Sequence, residues 1–100
     1  SVAVHRLSKQ FPADETYGLR SQIRRAAVSV PSNIAEGQRR RTRAEFANRL
    51  RLALGSLGEV ETQALLAGRF EYVSQHDVTP ILELASEVGR VINGLYASLS

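Results

Sequence analysis

The stretch Gln22-Ile-Arg-Arg-Ala-Ala-Val-Ser29-Val-Pro-Ser-Asn33-Ile-Ala-Glu-Gly37 decides the fold. Leu19, Ile23, Ala26, Val30, Ile34 and Gly37 recur at intervals of 4, 3, 4, 4 and 3 residues, which is one face of an α-helix. At about 100° per residue, Gln22, Arg25, Ser29, Asn33 and Glu36 fall within roughly 60° of that stripe. The pattern predicts a helix from about Glu15 to Glu36 with a polar flank beside its apolar face. Pro31 lacks an N–H and crowds the preceding turn, so a kink is expected over Ala27 to Pro31. Gly37 is the expected C-terminal stop.

On the C-terminal side, Thr42-Arg-Ala-Glu45 fits a capping box. Phe46, Leu50, Ala53, Leu57, Val60, Ala64 and Ala67 then alternate 4, 3, 4, 3, 4, 3, a coiled-coil-like seam that predicts a helix from Arg43 to about Ala67. Ser56, Glu59 and Gln63 make a second polar stripe beside this seam. Gly55 and Gly58 each cost roughly 1 kcal/mol in a helix interior, so close approach of another helix is expected there. A last helix begins between Gln75 and Pro80, with Ser74 as cap, Asp77 three residues on and Pro80 in the first turn. Its apolar face is wide: Ile81, Leu84, Ala85, Val88, Val91, Ile92, Leu95, Tyr96 and Leu99.

On the N-terminal side, Val4, Leu7 and Phe11 sit at helical spacing before Pro12. This segment reads as the tail of a helix whose N-terminal part is absent. Strand-like alternation persists nowhere. The short connections between the later helices make neighbours antiparallel. The expected fold is therefore all-α, a single up-and-down four-helix bundle over residues 1–100. Leu52 and Leu66 lie outside the main seam, and with the wide last face they exceed what one small bundle covers, which predicts self-association.

The 100 residues make one domain, and 43% hydrophobic content supports a core. With no Cys, disulfides, zinc-thiolate sites and a Cys nucleophile are excluded. No apolar run approaches the roughly 18 residues of a membrane span, and the expected compartment is a bacterial-type cytoplasm. The 12 Arg are unevenly placed: Arg20 to Arg51 holds nine of them against Glu36 and Glu45, a net +7, while the remainder is net −4. Such asymmetry points to a polyanion-facing surface or to a solvated Arg-rich helix face.

Phe11-Pro12, Glu15-Thr-Tyr-Gly18-Leu19, the Gln22–Gly37 block and Ala53-Leu-Gly55-Ser56-Leu-Gly-Glu59 with Gln63 together resemble the four-helix-bundle proteins of the 23S ribosomal RNA intervening sequences, the S23 ribosomal family. The same fold occurs in the accessory variability protein of diversity-generating retroelements. The resemblance covers nearly the whole chain from Val4 onward. It implies a ring-shaped homopentamer of up-down bundles and an RNA context.

Two sets of residues are candidates for function. Arg39, Arg40, Arg41 and Arg43 flank the turn between the second and third helices, with Arg20 and Arg24 as further basic positions. A five-membered ring would carry twenty guanidiniums from the loop alone. Guanidinium matches phosphate through forked donors, so these six arginines are the expected nucleic-acid-binding residues; a loop that merely discourages aggregation is the other reading. Gln22, Arg25, Ser29, Asn33, Glu36, Ser56, Glu59 and Gln63 are read as a structural polar network fixing helix register or a subunit interface, with a ligand pocket as the alternative. No nucleophile–base pair is present, His5 and His76 are isolated, and no Glu-x-x-His occurs. Neither a catalytic residue, a metal site nor a cofactor is assigned. The leading reading is a non-enzymatic oligomeric module that binds RNA or DNA backbone, as accessory to a partner enzyme; the alternative is a protein-interaction scaffold pentamer without nucleic acid.

Overall fold

The computed structural model describes residues 1–99 as four α-helices with no strand. They are α1 (Val2–Ser8), α2 (Leu19–Gln38), α3 (Arg43–Arg69) and α4 (Gln75–Ser98), with a short 3-10 turn at Ala13–Glu15. Three hydroxyls open helices: Ser1 accepts from the Val4 N–H, Thr42 from Glu45 and Ser74 from Asp77. Each satisfies one of the N–H groups a helix start leaves unpaired. At the start of α2 Gly18 offers no side chain, and Glu15 Oε1 accepts from the Leu19 N–H at 3.1 Å instead.

The helix ends differ from the sequence expectation in an instructive way. α2 runs through both Pro31 and Gly37. Gly37 is not a left-handed stop, because no glycine here has positive φ. A Cβ at Gly37 would lie 2.7 Å from Phe46 Cδ1 and 3.0 Å from Arg49 Cβ. The glycine is there so that α3 can approach. The left-handed residue is Glu71, φ 62°, just beyond α3. Around it the Tyr72 N–H reaches Ala67 O at 2.9 Å and the Glu71 N–H reaches Gly68 O at 3.1 Å, the paired closure of a Schellman end. In α4, Pro80 stands six residues in, past the first turn.

Packing divides the molecule in two. Around Val4, Leu7, Phe11, Ile23, Val60, Ala64, Val78 and Ile81 all four helices contribute to the core. Around Val30, Leu50, Ala53, Leu57, Ala85 and Ile92 only α2, α3 and α4 do. α1 has seven residues and covers only the first half of the space between α2 and α4. No Cα of α2 comes within 8 Å of one in α4. The uncovered half is an apolar slot of about 280 Å³ between Pro31 and Ile34 on one wall and Leu84 and Val88 on the other, with Leu57 beneath. Leu84 at the slot and Val91 and Leu95 further along α4 are exposed, as are Leu52 and Leu66 on the outer face of α3.

Among the described residues, and apart from their own helix backbone and chain neighbours, Gly55 and Gly58 have no atom within 4 Å of where a Cβ would stand. The close helix approach expected at them is not made within the chain.

Candidate nucleic-acid interface

α2 ends at Gln38 and α3 begins at Arg43, so the turn between them brings Arg39, Arg40, Arg41 and Arg43 to one end of the bundle. All four are exposed. Arg40 donates to Glu36 Oε1 at 2.7 Å, with both side chains about two-fifths exposed; such a pair contributes little. Among the described residues the guanidiniums of Arg39, Arg41 and Arg43 have no hydrogen-bond or ion-pair partner. Arg39 and Arg40 lie at the C-terminal end of α2, where the helix dipole favours cations. Arg43 lies in the first turn of α3, where the dipole disfavours them. Glu45 is the one acidic residue of that turn, and its carboxylate makes no hydrogen bond among the described residues; only the Thr42 half of the expected capping box forms.

Arg20 and Arg24 do not join this surface. They stand near the opposite end of α2, roughly 22–29 Å from Arg39 at 1.5 Å per residue. Arg20 Nε donates to Ser8 O at 3.0 Å, and its terminal nitrogens donate to Phe11 O, to Pro12 O at 3.5 Å and to Thr16 Oγ1 at 3.3 Å. Arg24 Nε donates to Ser8 Oγ at 2.7 Å. Both guanidiniums fasten α1 and the following connector onto α2. The Arg24 charge also holds the His5 imidazole below its usual 6.5. The geometry thus engages Arg20 and the Nε of Arg24 with α1 and its connector, away from the loop arginines.

The polar residues of α2 and α3 face one another in antiparallel register. Ser56 Oγ donates to Ser29 Oγ at 2.8 Å. Asn33 Nδ2 donates to Ser29 O at 2.9 Å and Ser29 Oγ at 3.0 Å, while Arg49 reaches Asn33 Oδ1 at 3.4 Å. Gln63 Nε2 donates to Gln22 Oε1 at 3.4 Å. Glu36 turns to Arg40 instead. Arg25 and Glu59 stand exposed on either wall of a cleft of about 380 Å³, and among the described residues their side chains form no hydrogen bond or ion pair. Among the described residues, Gln63 Oε1 is buried without a hydrogen-bond partner.

Beside the Arg20 and Arg24 clasp, two further contacts escaped the reading of the sequence. Arg49 joins the Asn33 cluster across 16 residues, and the Tyr72 hydroxyl donates to Glu15 Oε2 at 2.5 Å across 57. The spacing of Asn33 and Arg49 about the α2–α3 turn could have indicated the first; no local signal indicates the second. Among the described residues no group of three His, Asp or Glu is placed to hold a metal ion, and no helix is long and apolar enough to cross a membrane.

Comparison with curated proteins finds no match. Among solved structures, a protein of unknown function from the S23 ribosomal protein family of Bacteroides thetaiotaomicron superposes with a TM-score of 0.86 at 26% sequence identity, covering 95% of this chain and 89% of that one. The family model for 23S rRNA-intervening sequence proteins matches residues 1–94. The match spans all of α1, α2 and α3 and most of α4, and on it the chain belongs to the 23S rRNA-intervening sequence protein family.

Proposed function

We propose that the protein is a non-enzymatic oligomeric module that holds RNA or DNA by the phosphate backbone through Arg39, Arg40, Arg41 and Arg43. The observation that carries this reading is three exposed, unpartnered guanidiniums at one end of the bundle, one of them placed against the dipole of its own helix. A solubilising charge has no reason to sit at that position; a phosphate seated there reverses the unfavourable term. The family description, which ties its members to an intervening sequence of 23S rRNA, gives the reading a nucleic-acid context.

The active form in this reading is a ring-shaped homopentamer acting beside a partner enzyme in the cytoplasm. Exposed Leu52, Leu66, Leu84, Val91 and Leu95 are the apolar surface that assembly would cover. The same surface favours the second reading, a scaffold pentamer with no nucleic-acid role.

Titration of labelled single-stranded RNA and duplex DNA at about 50 and 200 mM salt separates the two readings. Each neutralised phosphate contributes a log–log slope of about −0.9 on duplex DNA and −0.7 on single strands. Replacing the four loop arginines by Ser is expected to flatten the slope and leave the helices intact. Absence of binding at low salt, or equal binding by the four-Arg variant, leaves the scaffold reading.

A further inference from the structure

The cleft between α2 and α3 contains a set of groups that the packing of the two helices does not use. Gln63 Oε1 is buried with no donor, an arrangement that is unfavourable unless something supplies an N–H. Glu59, an acceptor when ionised, and Arg25, a donor only, line the same cleft without forming an ion pair. The Ser29–Ser56 and Gln22–Gln63 hydrogen bonds bracket them, and antiparallel register therefore places Arg25 and Glu59 opposite one another. The space is about 380 Å³, ample for one planar heterocycle.

We infer that this cleft is a pocket for an unpaired guanine base of the nucleic acid whose backbone the arginine loop holds. The inference rests on the nucleic-acid reading above and adds a base preference to it. Glu59 offers acceptors on one wall of the cleft, and Arg25 offers donors on the opposite wall. Guanine alone among the common bases presents two neighbouring N–H groups, N1–H and N2–H2, on one edge. It also presents two acceptors, O6 and N7, on the edge beside it. A carboxylate takes both N–H groups at once. Against adenine or cytosine the same carboxylate meets a ring-nitrogen lone pair next to the amino group, and against uracil it meets a single N–H flanked by two carbonyls. Arg25 is the matching donor for O6 and N7. Recognition of splayed single-stranded bases by such edge contacts is the usual route to sequence preference in RNA.

The cleft and the loop lie along one flank of α2. Along the same flank of α2 and α3 come Asn33 with Arg49 and then Glu36 with Arg40. Fourteen residues of helix, about 21 Å, separate Arg25 from Arg39. A single strand held by the loop passes along this flank before it reaches the cleft.

The test is NMR titration of the full chain with GMP, AMP, CMP and UMP, following the side-chain amides of Gln22 and Gln63 and the backbone amides of Ser29 and Ser56. GMP is expected to shift these signals at concentrations about tenfold below those needed for the other three. Glu59→Gln is expected to remove that discrimination while leaving the remaining spectrum in place, since Glu59 is exposed and unpartnered. A G-containing single strand is expected to bind about tenfold more tightly than a G-free strand of equal length. Equal shifts from all four nucleotides, none at these signals, or GMP preference surviving in Glu59→Gln overturns the inference. In each of those cases salt-dependent binding of the G-free strand separately decides the fate of the loop reading.

Discussion

The hydroxyl of Tyr72 and the carboxylate of Glu15 meet at 2.5 Å and join the start of α2 to the turn between α3 and α4. The Glu15 carboxyl works in two directions: Oε2 accepts from Tyr72 while Oε1 accepts from the Leu19 N–H. Tyr72 in turn packs its ring between Phe11 and Phe70, with centroids at 5.9 and 5.5 Å. One tyrosine thereby ties together the connector after α1, the cap of α2 and the end of α3.

This contact makes stability depend on pH with a defined sign. The Tyr72 hydrogen bond, and after it the Leu19 N–H, hold the Glu15 carboxyl below its ordinary 4.5. The same bond raises the Tyr72 hydroxyl above its ordinary 10.0. A depressed carboxyl contributes stability that is complete above its unfolded value and disappears as pH falls through the folded one; a raised phenol contributes below 10.0 and loses it above. Tyr72→Phe is therefore expected to melt lower than the wild type across the neutral range. The gap should narrow as pH falls below 4.5 and through the lower folded-state value. Thermal melts from pH 3 to 10 check this, and a gap that stays constant to pH 3 would show that Glu15 is not the partner responsible.

Glu71 holds φ 62° at the end of α3, a conformation that disfavours a side chain by about 1–2 kcal/mol. Glu71→Gly is expected to raise stability by about 1 kcal/mol, or roughly 4–8 °C in melting temperature for a chain of this size. Glu71→Ala should give no such gain. Calorimetry of the two variants side by side makes the comparison; equal melting temperatures would place the backbone elsewhere.

The glycines sort into two kinds with opposite expected signs. A methyl at Gly37 meets the Phe46 ring at 2.7 Å and Arg49 Cβ at 3.0 Å, so the half-buried ring must shift, and Gly37→Ala is expected to lose about 1–3 kcal/mol. At Gly55 and Gly58 there is nothing within 4 Å, and alanine there should add up to about 1 kcal/mol of helix propensity each. That gain holds for an isolated subunit. If the outer face of α3 closes against another copy, Gly55→Ala will weaken the assembly while stabilising the subunit, and light scattering beside chemical denaturation separates the two effects.

What was legible in the sequence was local in origin. The apolar stripes of α2, α3 and α4 repeat every three or four residues, and the hydroxyls of Thr42 and Ser74 act on N–H groups three residues away, so periodicity and caps located the helices. The facing of Ser29 with Ser56 and of Gln22 with Gln63 followed from antiparallel packing of two polar stripes. Backbone dihedrals and long-range partners left no such trace. Gly37 has the residue type of a helix stop and serves as a contact, while the left-handed position fell to Glu71. Arg20 carries the same charge as Arg41, yet only the tertiary placement of Ser8, Phe11 and Pro12 shows where its donors go. The sequence counted charges; the fold distributes them between a clasp and a free surface.

That distribution yields the last prediction. Arg20 makes charge-assisted hydrogen bonds to backbone carbonyls that close the end of α1. Removing it leaves those acceptors to water and is expected to lower stability by about 1–3 kcal/mol. Arg24→Ala should act in the same direction through Ser8 Oγ. Neither change removes a guanidinium from the loop, so the salt slope of nucleic-acid binding should be that of the wild type. Arg39, Arg41 and Arg43 should behave in the opposite way: each is exposed and unpartnered, and its replacement by Ser should leave the melting temperature within about 0.5 kcal/mol of unchanged stability. Each loop replacement should instead reduce the slope by about 0.7–0.9. Arg40 is intermediate, since its pair with Glu36 is solvent-exposed and contributes at most about 1 kcal/mol. Melting curves and salt titrations on the same six single variants give a plot of stability loss against slope loss. Two separate groups, Arg20 with Arg24 and Arg39 with Arg41 and Arg43, are expected. A slope reduced in Arg20→Ala at full stability would mean that the positive surface extends along the whole of α2, and the loop would no longer account for binding alone.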